Sequence, residues 1–115
     1  MKTIINRDGL ENNDNWKTPD WLYKLLDDEF HFDFDPCPLN HDISLWDGTK
    51  VDWKGSNFCN PPYSKEWKPL FIEKAFKEWR IGKNVVLLIP AATGTIQFHK
   101  LIYPYAEIRF VKGRI

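Results

Sequence analysis

No stretch of this chain is long and apolar enough to span a bilayer as a helix. The start, MKTIINRDGLENNDN, lacks the apolar core and small-residue end of an export signal, so a cytoplasmic setting is expected. Cysteine is scarce. Cys37 and Cys59 each stand beside a proline-containing motif, and without an export signal they are expected to be free thiols packed as small apolar residues. No CxxC pair occurs and His31, His41 and His99 are scattered, so no metal site is expected. Repeats and low-complexity segments are absent, which excludes solenoids and linker-like chains. Net charge is also zero, but residues 1–47 hold 11 acidic against 4 basic side chains and residues 48–115 hold 5 against 12. An acidic half for a cationic ligand and a basic half for phosphate would produce this split, as would two solvated faces that neutralise each other.

With 115 residues, six of them Trp, the chain is long enough for one core and aromatic enough to fold. Residues 1–15 are polar and read as a flexible amino-terminal arm, leaving 16–115 as a single domain. The spacing of Leu22, Leu25, Leu26 and Phe30 predicts a helix over 19–29, with Thr18 as N-cap and Pro19 at the first helical position. FHFDFDPCP alternates aromatic and acidic residues as a strand does, stopping at Pro36 with its acids at the carboxyl end. Residues 39–56 carry turn chemistry at Asp47-Gly48 and Lys54-Gly55, with room for one or two short strands.

SNFC reads as a short strand running into Asn60. Pro69 then opens a helix whose buried face is Phe71, Ile72, Ala75, Phe76 and Trp79, ending near Ile81-Gly82. NVVLLIP is a continuous apolar run, as expected of a central parallel strand covered on both faces. TGTIQFHKLIYPYA reads as a helix broken at Pro104. AEIRFVKGRI reads as a strand, a turn at Lys112-Gly113 and the start of an antiparallel partner, and the pattern stops at Ile115. Alternating strands and helices indicate a Rossmann-like α/β layer, a mostly parallel sheet with flanking helices, minimal or truncated at its antiparallel edge. Ligands gather at the carboxyl ends of such strands.

Asn60-Pro61-Pro62-Tyr63 lies at that edge. Two prolines with fixed φ hold the segment rigid, and the first pushes Asn60 toward an extended conformation. The Asn60 side-chain carbonyl and the Pro61 backbone carbonyl are two outward acceptors, suited to the two hydrogens of an amino group conjugated to a ring. Accepting both favours pyramidalisation and aims the nitrogen lone pair at an electrophile; Tyr63 would stack on the ring and fix its plane. In-line transfer of a sulfonium methyl group fits this arrangement, with the acceptors stabilising the positive charge that develops on nitrogen. A plain turn, with Tyr63 packed on the prolines, is the other reading.

From WKTPDWLYKLLDDEFHFDFDPCP through NFCNPPYS and VVLLIPAATGT to AEIRFVKGRI, the chain resembles the bacteriophage-type DNA N6-adenine methyltransferases. The resemblance implies a Rossmann-like methyltransferase fold, S-adenosylmethionine as cofactor, adenine in DNA as substrate, a bacterial host cell, and a role in protecting phage DNA from restriction. Matched to the family pattern, Asn60, Pro61, Pro62 and Tyr63 are the catalytic motif. Trp16, Thr18 and Pro19 are the amino-terminal cofactor segment, where a helix start receives a carboxylate. Asp35, Pro36 and Cys37 are the acidic strand end, with Asp35 placed for the cofactor's ammonium group or, alternatively, for bonding its own loop. No glycine-rich loop follows that strand. From the positive excess, Lys65, Lys68, Arg109, Lys112 and Arg114 are the expected phosphate contacts. Cytosine N4 or a glutamine amide are alternative acceptors, and a silent DNA- or protein-binding relative is the alternative of another class. An exposed strand at 108–115 is expected to permit a homodimer.

Overall fold

A computed structural model describes residues 1–6, 18–39, 41–62, 64, 66–90, 98–102 and 104–111. In chain order these form β1 (Lys2–Asn6), α1 (Asp20–Phe30), a 3-10 turn (Gly48–Lys50), β2 (Ser56–Cys59), α2 (Lys68–Arg80), β3 (Asn84–Pro90), a π-helical turn (Phe98–Ile102) and β4 (Glu107–Val111). The strands form one sheet in the order β2-β3-β1-β4, and every pairing is parallel. The α/β expectation therefore holds, and the antiparallel partner expected from Arg114 onward lies outside the described residues. β4 runs parallel to β1, with Ile108 opposite Thr3, and the expected turn at Lys112-Gly113 lies outside the described residues.

A larger correction concerns the amino terminus. Lys2–Asn6 is not an arm but an interior strand, bonded to β3 on one side and β4 on the other. Thr3 and Ile4 are buried, and Lys2 is ion-paired with Glu107. A five-residue strand leaves little periodicity to read, and the polar run after it dilutes the signal further. Residues 7–17 lie outside the described residues.

One helix covers each face of the sheet. Alternation along β3 sends Val86 and Leu88 toward α1, where they pack with Ile4, Phe58, Leu22 and Leu26. Val85, Leu87 and Ile89 face the other way, onto Phe71, Ile72 and Ala75 of α2 and onto Ile102. The α1 stripe is narrower than its spacing predicts: Leu22 and Leu26 are buried, but Leu25 is 61% exposed.

Pro19 holds the N-cap position of α1, its carbonyl accepting the Leu22 and Tyr23 N–H groups, and no side chain caps the helix. The helix ends where His31 turns left-handed, with the Asp27 carboxylate accepting the Phe32 N–H at 2.8 Å. α2 carries proline in its first turn and stops before Gly82, whose φ of 103° suits glycine. Phe76 and Trp79 are only half-buried; both rings lie tilted against Tyr105, and Trp79 packs on the margin of the core.

Where FHFDFDPCP predicts a strand, a single parallel bridge joins Phe34 to Asn57 on the free side of β2. The Phe58 N–H donates to Phe34 O at 3.0 Å. The next donor in such a ladder, two residues on, would be Pro36, which has no N–H, so pairing stops. Residues 41–55 hold no strand. Asp42 and Asp47 instead accept from the Ser44 and Thr49 N–H groups, which folds this stretch into tight turns.

Candidate active site

Because the strands are parallel, their carboxyl ends share one edge. Both helices run back antiparallel to the strands, so the starts of α1 and α2 lie there too. Asn60 leaves β2 at this edge half-buried, and Pro61 and Pro62 are buried beneath it. Its side-chain Nδ2 donates to Thr18 Oγ1 at 3.0 Å, across 42 residues of chain. Thr18 is thus not the N-cap expected of it; its hydroxyl meets Asn60. With Nδ2 turned to Thr18, the amide oxygen is the end turned away. Tyr63 and Trp16 lie outside the described residues.

Past the Phe34–Asn57 bridge the chain keeps Asp35 and Cys37 near Cys59 at the end of β2. Asp35 is half-buried, and Oδ1 accepts the Cys37 N–H at 2.8 Å. The loop-bonding role is therefore real, and it uses one oxygen of the two. Burial pushes the Asp35 carboxyl above the usual aspartate range, with the Cys37 N–H and the charge of His41 opposing it. Among the described residues no lysine or arginine bridges to Asp35.

Burial, reinforced by the Cys37 thiol and Asp35, raises the Cys59 thiol well above its ordinary value. It stays protonated and does not compete as a nucleophile. Among the described residues no group of His, Cys, Asp and Glu is arranged to hold a metal ion, and no helix is long and apolar enough to cross a membrane.

Two contributors were not singled out from the sequence. Tyr23 rests edge-on against Phe58 with ring centroids 5.2 Å apart; its phenol is raised by burial and by the charges of Asp27 and Asp35. Its place five residues after Thr18 on α1 is the available signal. Gly48 packs so closely under Pro36 that a Cβ there would overlap the Pro36 carbonyl oxygen and lie 2.9 Å from the Pro36 Cβ. The Asp47-Gly48 turn was legible, but not what it touches.

The expected phosphate contacts separate. Lys68 opens α2 at the site edge. Arg109 does not belong there: its guanidinium makes two bonds to Glu29, at 2.6 and 2.7 Å, a third to Glu107 at 3.1 Å, and lies over the Phe30 ring. Lys65, Lys112 and Arg114 lie outside the described residues.

A family model described as DNA N-6-adenine-methyltransferase (Dam) matches residues 7–115. The chain belongs to this family. No curated protein and no solved structure matches it. Within the Dam-family span fall Asp35 and the hydrogen-bonded pair Thr18 and Asn60, whereas β1 precedes the span and completes the sheet from outside it.

Proposed function

We propose that this Dam-family domain transfers the methyl group of S-adenosylmethionine to the exocyclic N6 of adenine in DNA. The observation that carries the reading is Asn60 itself, at the carboxyl end of β2, followed by two buried prolines and held through Nδ2 by Thr18.

The residues present fit the cofactor. A half-buried carboxylate raised by burial gains from an ammonium group placed beside it, and Asp35 has an oxygen beyond its Cys37 bond. Pro19, at the start of α1, brings a helix amino end to the same edge, which favours a carboxylate. When bound, S-adenosylmethionine supplies an electrophilic methyl group on a positively charged sulfur. Adenine reaches such a pocket by leaving the base stack. The Asn60 amide oxygen and the Pro61 carbonyl accept the two amino hydrogens, and Tyr63 supplies a ring to stack on the base. These two acceptors would hold the amino nitrogen with its lone pair toward the methyl group that the cofactor would supply, and would pass the surplus amino proton to water. The acceptors carry the developing charge, so no separate base is required. In a bacteriophage setting, such a mark would shield DNA from restriction.

The test is to incubate the protein with DNA and labelled methyl donor and to digest the product to nucleosides. Label in N6-methyladenine is expected, and Asn60→Ala should lower the rate by about 100-fold or more, as loss of one charge-stabilising group does. Label in N4-methylcytosine would move the acceptor. No transfer to DNA, with cofactor still bound, would leave a glutamine amide or a silent binding module.

A further inference from the structure

Thr18 stands directly before the proline that begins α1, where a threonine commonly caps the helix, yet no side chain caps α1. Its hydroxyl lies instead 3.0 Å from Asn60 Nδ2. We propose that Thr18 is a positioning residue: it holds the plane of the Asn60 amide so that the oxygen end faces the methyl acceptor, and so links the segment before α1 to the catalytic edge. This rests on the methyl-transfer reading above.

An asparagine amide on a free side chain rotates, and half a turn would put an NH2 group where an acceptor is needed. Pro61 and Pro62 fix the backbone beneath Asn60 but leave χ2 soft, because a terminal sp³–sp² torsion has broad wells. A hydrogen bond to a rigid partner holds that torsion. Thr18 qualifies on three counts. It is β-branched, and so stiff at χ1. It precedes Pro19, whose φ is −56°. And α1 is pinned to the sheet by buried Leu22 and Leu26.

The test uses Thr18→Val, which keeps the shape and removes the hydroxyl, and Thr18→Ser, which keeps the hydroxyl. One readout is the Asn60 side-chain NH2 signal in protein labelled with 15N-asparagine, assigned by its loss in Asn60→Ala. The other is kcat together with cofactor affinity. In Thr18→Val, proton exchange at Nδ2 should quicken and kcat should fall by about tenfold, the scale of one neutral hydrogen bond, with cofactor affinity changed less than about threefold. Thr18→Ser should restore both. An Nδ2 signal indifferent to Thr18→Val overturns the proposal, as does a loss of cofactor affinity with kcat unchanged, which would make Thr18 a cofactor contact only. If the wild-type protein transfers no methyl group, the adenine reading falls, and the Nδ2 signal alone decides whether Thr18 holds the amide.

Discussion

Asp35 holds two demands in conflict. Burial raises its folded pKa, so the folded protein binds this proton more tightly than the unfolded chain does. For a raised carboxyl the stability contribution is present at low pH and is lost as pH climbs from the unfolded value through the folded one. Asp35→Asn should therefore melt at a higher temperature than wild type above that window and show no such gain below it. The amide oxygen still serves the Cys37 N–H at Oδ1. The same variant should bind S-adenosylmethionine more weakly, because an amide offers no charge to an ammonium group. Melting curves across pH, with and without cofactor, check both; a variant no more stable at neutral pH and equally tight for cofactor would remove Asp35 from the site.

Two elements brace the sheet at its opposite edges. The 3-10 turn reaches the carboxyl edge through Gly48, whose carbonyl also accepts the buried Trp53 indole N–H at 2.8 Å. Gly48→Ala must displace the Asp35–Cys37 turn. The expected cost is about 1 to 3 kcal/mol, as for overpacking, with weaker cofactor binding alongside. Denaturant titration and cofactor binding measure these. At the far, amino edge of the sheet, buried Glu78 on α2 takes Lys74 at 2.7 Å, Lys83 at 2.5 Å and the Trp53 N–H at 3.4 Å. Lys83 also donates to Trp53 O at 2.6 Å, tying α2 to the approach to β2. Burial is the largest influence on the Glu78 carboxyl and raises it, but the hydrogen bonds from Lys74, Lys83 and Trp53, with the Lys74 charge, outweigh it and leave the group lowered. A lowered carboxyl stabilises above its unfolded pKa, and that stability is lost as pH falls through the folded one. Glu78→Ala should cost about 3 kcal/mol, the low end for breaking a buried pair because both lysines keep some water contact, and should flatten the acid limb of the stability curve. Since Glu78 sits far from the carboxyl edge, cofactor affinity of the folded variant should be unchanged.

At the scale of the whole molecule, the positive excess after residue 47 is partly consumed within the fold. Arg109 is held by Glu29 and Glu107, and Lys74 and Lys83 by Glu78. Lys68 opens α2 at the carboxyl edge, where the base is proposed to enter. DNA affinity should therefore fall with salt on a shallow slope, and Lys68→Ala should reduce that slope by about one unit while Arg109→Ala leaves it unchanged. Binding titrations over a salt series decide this; an Arg109 effect on the slope would mean that its ion pairs open on DNA. β4 borders β1 on one side, and no described strand pairs on the other. We propose that a second copy docks at this edge, giving a concentration-dependent dimer in sedimentation velocity. A single monomeric species across the concentration range would refute it.

Much of this was readable from local patterning. The apolar run of β3, the i, i+4 pair Leu22 and Leu26, proline in the first turn of α2 and Gly82 after its end each encode their element within a few residues. The place of Asn60 after a strand was equally legible, because two prolines and a strand end are local facts. What only the tertiary structure decided is what lies beside what across the sheet. Lys2–Asn6 became an interior strand because β3 and β4 supply its hydrogen bonds from 80 or more residues away. Thr18 gave up its capping role to Asn60, Arg109 turned from solvent to Glu29, and Gly48 came to brace Pro36, each through a contact between elements. Propensity and periodicity report a residue's own segment; partners brought together by the folding of the sheet leave no mark in the spacing of either.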